Sequence, residues 1–514
     1  MKIKVSIIII FYLIIISLEL ISILYLNHGI FTYTLDDAYI HLSLAQNILK
    51  GNYGININEF SSPSSSIIWP FLLAPFSTLS FYNLVPLIMN IIFTTVILFL
   101  IIFLIKKHLS VVFTKSPFIW LFFIVLYFIL IFNLTGLIFT GMEHSLQILF
   151  VLIITIGLIE LNESQKVPLY LNFFLICAPL IRYENIAISL SGILFLYLTK
   201  NKKQAAISFL LMSFLLALFS LFLYVNNNGF LPNSIILKST QFNQNNKFIA
   251  PINNFLKSLK INEGLRLAYV LIAIFYYFLY GDHKNESKKL ALITIFAITL
   301  HLLFGQYGWF HRYEIYIWIF SSLVLIYLYK NLFIKLFSPT YKNFIFLTAA
   351  SILLFHNYYY ALLSTPFAAN NIYEQHYFMH KFVNYYYKGN VGVHDIGYVS
   401  FNNPYYVLDV NGLSNKKVLN FRKNQINSSY WLEELANLYQ VNLFIVYEKI
   451  LDIPDNWLKI GSLHLSRPNI IAFDKEVSFF IRNNSDLKNV LKAINKYIKD
   501  LPPEIKFKFT TNFL

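Results

Sequence analysis

Residues 5–41 read VSIIIIFYLIIISLELISILYL followed by NHGIFTYTLDDAYIH, and this segment indicates the class of fold. The apolar run from Val5 to Leu26 is long enough to cross the hydrocarbon core of a bilayer. It exceeds the apolar region of a signal peptide and lacks a cleavage site of small residues, so we expect it to remain as an anchor. With its basic N-terminus on the inner side, the residues that follow, including Asp36 and Asp37, lie outside.

Asp36 and Asp37 are adjacent carboxylates placed where a membrane helix leaves the bilayer. Like charges repel, and keeping both ionised near a region of low dielectric constant requires a cation, a set of hydrogen-bond donors or a function. The alternative is local: either residue could cap an amphipathic helix over residues 38–49. The pair alone leaves both interpretations open.

The composition is that of a polytopic membrane protein. Of 514 residues, 57% are hydrophobic and only 13% are charged, and apolar runs of bilayer length recur. The net charge of +15 comes mostly from lysines in short loops between apolar runs, so nucleic-acid binding is not expected. The single cysteine, Cys177, lies in an apolar run and excludes a disulfide framework within the chain.

The apolar runs predict about eleven membrane crossings. They lie at residues 5–26, 82–105, 117–135, 144–160, 167–181, 184–199, 204–225, 265–280, 290–305, 312–329 and 343–362. Residues 67–79 contain Pro70 and Pro75 and are too short to span, so they predict a re-entrant or juxtamembrane helix. This count places the lysine clusters inside, as the positive-inside rule requires, with a cytoplasmic N-terminus.

The same topology collects ionisable residues on the outer face. Taken singly, each is more often an interfacial anchor or a member of an ion pair, but their convergence favours a site. A carboxylate there could take a proton from a hydroxyl, while fixed cations could stabilise a departing phosphate. The residues are Asp36, Asp37, His41, Glu143, His144, Arg182, Glu184, Lys238, His311, Arg312 and Glu314.

An ordered set of short motifs extends over the chain to about residue 420. The set comprises Asp36-Asp37-Ala38-Tyr39-Ile40, Asn47 with Gly51 and Gly54, Ser62-Pro63, Thr140-Gly141-Met142-Glu143, Arg182-Tyr183-Glu184, Pro232-Asn233-Ser234 with Lys238, and Arg312-Tyr313. In order and spacing it resembles the bacterial GT-C superfamily of glycosyltransferases, on the branch of the mycobacterial arabinofuranosyltransferases. The chain departs from that pattern at Arg182-Tyr183-Glu184-Asn185, where the family has Arg-Pro-Glu or Arg-Pro-Asp before Gly, and at His311.

The resemblance implies a transferase that takes a sugar from a polyprenyl-phosphate donor. It implies Asp36 as catalytic base and Asp37 as its partner. Lys238, Arg312, Arg182 and His311 would bind the donor phosphate, with Glu143, Glu184 and His41 in supporting roles. The acceptor would be a hydroxyl of an envelope glycan, lipid or protein at the outer face of the cytoplasmic membrane. No cofactor and no metal ligand are assigned, and a divalent metal requirement stays open.

Residues 365–514 differ from the transmembrane region, residues 1–364, in having the pattern of a soluble α/β domain outside the membrane. Strands are predicted near residues 391–397, 406–413, 443–447, 469–473 and 477–482, with helices over 378–387, 429–439 and 486–499. Asp395 and Asp409 are interpreted as turn residues at strand ends. His301, within a span, is expected to hydrogen-bond to a neighbouring helix.

Two other functions share several of these features. A transporter or flippase for a lipid-linked or anionic solute would also carry charges in membrane helices, but near the midplane and often in paired half-repeats. Here the charges collect at one face and the chain has no obvious halves. An outer-leaflet polymerase of lipid-linked oligosaccharides shares the outer-face geometry and remains an alternative.

Overall fold

The computed structural model describes residues 5–108, 125–238, 249–281, 285–336 and 340–510. Within these ranges seven helices are long and apolar enough to cross a membrane. An eighth would be counted if Ile315–Leu328 and Lys330–Leu336, which meet at 88°, formed one span. The seven helices are Val5–Leu26, Tyr82–His108, His144–Ser164, Lys202–Val225, Asn262–Tyr280, Asn285–Phe304 and Ile345–Tyr387.

The described residues thus contain fewer candidate spans than the eleven expected. The predicted spans at 167–181 and 184–199 form the shorter apolar helices Leu169–Ile181 and Tyr183–Leu198. A helix of 13 residues is about 20 Å long, against about 30 Å of hydrocarbon. The chain is extended at Arg182, which separates the two helices. Part of the predicted span at 117–135 lies outside the described residues.

Shorter helices connect the long apolar helices and occupy the C-terminal region. The segment predicted to be re-entrant or juxtamembrane contains the helix Trp69–Leu73 and the 3-10 turn Ala74–Phe76, which confirms that it is too short to span. The other short α-helices are Asp37–Leu49, Leu134–Ile138, Asn233–Lys238, Ala250–Ser258, Gly397–Ser400, Lys416–Lys423, Ser428–Leu438 and Leu487–Lys499.

One long helix joins the two halves of the molecule. The helix Tyr341–Asn371 continues through π-helical segments Ile372–Tyr377 and Phe382–Tyr387, which flank Phe378–Lys381. It therefore crosses the predicted domain boundary at residue 364 without a break and enters the C-terminal region. Its last turns lie beside the sheet, where residues such as His376 face the C-terminal domain.

The C-terminal region is a six-stranded mixed sheet in the order β2-β1-β3-β5-β4-β6. β1, β2 and β3 are parallel, whereas β3, β5, β4 and β6 pair antiparallel. The strands are β1 Val391–Val393, β2 Val407–Asp409, β3 Leu443–Val446, β4 Leu458–His464, β5 Glu476–Ile481 and β6 Lys506–Phe509.

The strand predicted at residues 469–473 is wrong, and β4 and β6 were not predicted. Residues 469–473 form a bent segment held against the last long helix. The Asn371 side chain accepts from the backbone N–H of Ile470 at 2.7 Å and donates to the carbonyl of Pro468 at 3.1 Å. These side-chain bonds replace the bonds that a sheet would supply.

The helix Asp37–Leu49 packs between the membrane region and the sheet. Its Leu42 and Ala45 are buried with the transmembrane helices, whereas Ile40 and Leu44 are buried in the cluster that contains Val391 of β1. Apolar side chains on both faces of this helix are thus removed from water, which stabilises its position between the two clusters. The carboxylates at its N-terminus are therefore fixed at the junction of the two halves.

Candidate active site

A cavity of about 740 Å³ lies at this junction. The transmembrane half contributes Asp36, Asp37, Lys238, Gln306, Trp309 and Arg312 to its wall. The long helix and the C-terminal domain contribute His376, His394, Asp395, Arg422, Lys423 and Tyr447. Four of the residues predicted from the sequence, Asp36, Asp37, Lys238 and Arg312, are thus brought together.

Asp36 occupies the N-cap position of the helix Asp37–Leu49, but its side chain makes no hydrogen bond to the first turn of that helix. The carboxylate instead accepts from the backbone N–H groups of Gly397 at 2.6 Å and Tyr398 at 2.8 Å. Burial raises the pKa of Asp36 to about 6. The local capping interpretation is therefore wrong for Asp36, whose carboxylate bonds to the C-terminal domain.

Asp37 lies in the opposite electrostatic environment. Arg312 Nη2 donates to Asp37 Oδ2 at 2.6 Å, and Lys238 Nζ lies 3.6 Å from the same oxygen. Burial alone would raise the pKa of Asp37, but the charges of Lys238 and Arg312 hold it well below its usual range. Asp37 is thus a fixed anion paired with two cations.

Arg312 retains donors that the described residues do not use. Its side chain is 3% exposed, and Nη2 bonds to Asp37 and, at 3.2 Å, to the Tyr313 hydroxyl. Its Nε and Nη1 are buried without a hydrogen-bond partner among the described residues. A buried guanidinium with unpaired N–H groups is costly unless a ligand supplies acceptors, and phosphate oxygens have suitable geometry.

Arg182 belongs to a separate buried network. Its Nη1 donates to Glu143 Oε1 at 2.5 Å, and its Nη2 donates to Glu184 Oε1 at 2.7 Å. His41 Nε2 lies 3.5 Å from the other oxygen of Glu143. Two carboxylates therefore pair with Arg182, which does not line the cavity. The geometry groups Arg182 with Glu143, Glu184 and His41, the residues expected to have supporting roles.

His311 also lies apart from the carboxylate pair. It bonds to Glu314 at 2.9 Å and lines a neighbouring cavity of about 440 Å³. Burial would lower its pKa, but the bond to Glu314 and the charge of that carboxylate raise it. The backbone has positive φ at Trp309, Phe310 and His311, at 47°, 67° and 57°, a conformation that non-glycine residues rarely adopt.

Several short motifs of the sequence contact one another and support the site. Asn47 Nδ2 donates to the carbonyl of Gly54 at 2.9 Å. The backbone N–H of Asn233 donates to Ser62 Oγ at 3.1 Å, which fixes the short helix that ends at Lys238. These contacts position the two segments that carry Asp37 and Lys238.

Sequence reasoning missed a second cluster of titratable groups beside Asp36. His376 Nε2 lies 3.0 Å from Asp395 Oδ2, and His376 Nδ1 lies 3.8 Å from Asp36 Oδ1. The Tyr447 hydroxyl donates to Asp395 Oδ2 at 2.6 Å. Asp395 lies two residues after the end of β1. The carboxyl end of a parallel strand is a common position for site residues, so this placement was the available signal.

The two aspartates assigned to turns differ. Asp409 is confirmed as a turn residue, because its carboxylate accepts from the backbone of Asn411 at 2.7 Å and Ser414 at 2.5 Å. Asp395 also lies just beyond a strand, but its side chain bonds to His376 and Tyr447 instead of to a turn.

His301 Nδ1 lies 2.9 Å from the Tyr316 hydroxyl, which confirms the expected bond to a neighbouring helix.

Over the ranges that the structure describes, no group of three or more His, Cys, Asp or Glu side chains is arranged to hold a metal ion. The polar groups around the cavity pair mainly with one another and with Arg312 and Lys238. The sequence left a divalent metal requirement open, and this is to be tested with substrate present.

A family model described as a domain of unknown function, DUF8728, matches residues 370–480, less than half of the chain. No curated protein and no solved structure matches the chain. The matched segment contains His376, Asp395 and Tyr447, so it includes the C-terminal side of the cavity wall.

Proposed function

We propose that the chain is an integral-membrane glycosyltransferase of the GT-C type. It would move a sugar from a polyprenyl-phosphate donor to a hydroxyl of an envelope glycan, lipid or protein. The observation that carries this proposal is the contrast between Asp36 and Asp37, which line one cavity but have pKa values displaced in opposite directions. Such a contrast is typical of carboxylates with separate roles in catalysis.

In the proposed reaction, Asp36 removes the proton of the acceptor hydroxyl as its oxygen bonds to the anomeric carbon of the sugar. The bond between that carbon and the phosphate oxygen breaks, and its electron pair stays on the phosphate. Arg312 and Lys238 stabilise the charge that develops there. Asp37 holds both cations in place, because it pairs with each of them.

The shape of the site supports a lipid-linked donor. A cavity of about 740 Å³ is within the range usual for small-molecule sites. Trp309, Ile471 and Phe473 line both this cavity and the neighbouring one of about 440 Å³. In our proposal the sugar phosphate occupies the first cavity, and the isoprenoid chain leaves along the shared apolar wall toward the membrane lipids.

We place the site at the outer face of the cytoplasmic membrane, with the N-terminus in the cytoplasm and the C-terminal domain outside. The lysines at the start of the helix Lys202–Val225 would then be cytoplasmic. The test is labelling of single cysteines in a Cys177→Ala background. Position 492 should react with an impermeant reagent from outside, whereas position 202 should react only after the membrane is opened. The reverse pattern would contradict this orientation.

The activity is tested with the purified chain in lipid nanodiscs. Polyprenyl-phosphate mannose, glucose and arabinofuranose are offered as donors with short alkyl glycosides as acceptors, in Mg²⁺ or in EDTA. We expect transfer of one sugar from at least one donor. Movement of an intact donor across proteoliposomes without transfer would favour a flippase. Products that grow only from lipid-linked oligosaccharides would favour a polymerase.

A further inference from the structure

We propose that His376 is a positioning residue that relays the proton taken up by Asp36, and that Asp395 and Tyr447 of the C-terminal domain hold it for this role. The inference rests on the proposed function, since it requires Asp36 to act as a base. It gives the C-terminal domain a part in the reaction. The base lies in the transmembrane half, the group that receives its proton lies on the long helix, and the residues that hold this group lie beside the sheet.

The His376 ring is oriented by two carboxylates on opposite sides. Its Nε2 lies 3.0 Å from Asp395 Oδ2, a hydrogen-bond distance, whereas its Nδ1 lies 3.8 Å from Asp36 Oδ1. An ionised carboxylate can only accept, so in the neutral ring the first contact places the proton on Nε2. The relay starts from this neutral form, in which Nδ1 faces Asp36 with a free lone pair. Nδ1 is buried without a hydrogen-bond partner among the described residues.

Asp395 is held as an anion. Burial would raise its pKa, but the bonds from His376 and from the Tyr447 hydroxyl lower it below its usual range. The Tyr447 hydroxyl, which also lies 2.8 Å from Gln375 Oε1, and His376 together fix the position of the carboxylate. An anion at this place stabilises a positive charge on the imidazole, as the buried aspartate does in a Ser-His-Asp triad.

The proton path conserves atoms and charge. Asp36 becomes a neutral carboxylic acid when it accepts the proton of the acceptor hydroxyl. The acid then transfers this proton to Nδ1 of His376, which becomes an imidazolium between two carboxylates. Asp36 returns to its ionised form, and the imidazolium later releases the proton to water in the cavity, whose wall includes His376. The distance of 3.8 Å closes by a small rotation or is bridged by one water.

The other titratable groups at this place do not compete for the proton. Asp36, Asp395, Tyr447 and His394 are the groups that face His376 and its carboxylate partner. Burial lowers the pKa of His394 to about 4, so it is neutral, and its Nδ1 accepts from the backbone N–H of Tyr447 at 3.2 Å. His376 is therefore the group placed to receive the proton from Asp36.

The test uses His376→Ala in the whole 514-residue chain in nanodiscs, with the donor that gives transfer. We expect kcat to fall about 10- to 100-fold, a part of the usual effect of acid-base groups, while KM for the donor stays within about 2-fold. Added imidazole should restore turnover, because the ring would enter the cavity that the side chain leaves. A purely structural role would not respond to imidazole.

The matched control is His464→Ala. His464 also lies beside a carboxylate, with its Nε2 3.4 Å from Glu476 Oε2, but it belongs to β4 and does not line the cavity. Its variant should keep turnover and ignore imidazole. Turnover of His376→Ala equal to that of the unchanged chain, or a loss that imidazole does not restore, would overturn the relay.

A second variant keeps the inference testable if His376→Ala does not fold. Asp395→Asn retains the shape of the side chain but cannot stabilise the imidazolium, so kcat should fall about 10-fold or more without a change in donor KM. Unchanged kcat in Asp395→Asn would overturn the relay. An unchanged chain that transfers no sugar would instead overturn the proposed function, and with it the relay.

Discussion

The backbone N–H of Gly397 donates to Oδ2 of Asp36 at 2.6 Å across 361 residues of chain. This bond joins the segment after the first long helix to the start of a short helix in the C-terminal domain. It orients the carboxylate toward the cavity and away from its own helix. The candidate site is therefore shared between the two halves of the molecule.

The first prediction separates the two carboxylates. Asp36→Asn removes the proton acceptor, so we expect sugar transfer to fall about 100- to 10,000-fold, the range for loss of a general base, with donor binding retained. Asp37→Asn should be milder in kcat but should raise donor KM, because Arg312 and Lys238 lose their counter-charge. Transfer kinetics and donor binding are measured on the same preparations. An inactive Asp37→Asn beside an active Asp36→Asn would reverse the assignment.

The second prediction concerns pH. A base acts only when ionised, and burial raises the pKa of Asp36 to about 6. We therefore expect kcat/KM to be low in acid and to rise with pH through about 6, as Asp36 loses its proton. The residual activity of Asp36→Asn should lack this rise. A profile that stays flat between pH 4.5 and 8 in the unchanged chain would exclude Asp36 as the base.

The third prediction uses Gly397. A methyl group added there would collide with the backbone oxygen and the carboxylate of Asp36. Gly397→Ala should therefore displace the base and lower kcat about 100-fold, because small misplacements are costly in catalysis. Gly389→Ala is the control, since its added methyl meets only the Tyr387 side chain, at 3.0 Å. Equal activity in both variants would show that the bond does not position Asp36.

The fourth prediction concerns the cations on the phosphate side. Arg312→Lys keeps the charge but loses the planar set of donors, so we expect transfer to fall roughly 10- to 1000-fold. Lys238→Ala should weaken donor use within the same range. Lys492→Ala, on the C-terminal helix Leu487–Lys499, serves as a control and should be unchanged. Normal turnover in Arg312→Lys and Lys238→Ala would return both residues to the class of interfacial anchors.

The fifth prediction distinguishes Arg182 from those cations. Arg182→Gln leaves Glu143 and Glu184 without their buried partner, which should destabilise the fold by about 3–5 kcal/mol. We expect a lower apparent Tm in detergent, with transfer per folded molecule within a few-fold of normal. Glu184→Gln should destabilise less, because Arg182 keeps Glu143. Unchanged stability with lost donor binding would instead favour the phosphate role that the resemblance implies.

Much of the local structure could be predicted from the sequence. The apolar anchor Val5–Leu26, the amphipathic helix that begins after Asp36, and the helices Ser428–Leu438 and Leu487–Lys499 all follow from the period of their apolar residues. The number of spans could not be predicted in the same way. Apolar content does not reveal where the chain turns, and at Arg182 an extended residue divides the apolar stretch into two short helices.

The residue pattern was enough to predict bilayer-length helices, a C-terminal α/β region and two carboxylates just beyond the first helix. It did not reveal that Asp36 bonds to Gly397, that Asp37 pairs with Arg312, or that Arg182 is neutralised elsewhere. The difference lies in the distance along the chain over which each effect acts. Apolar periodicity acts between residues a few positions apart, whereas the environment of a charge depends on groups that the fold brings from distant parts of the chain.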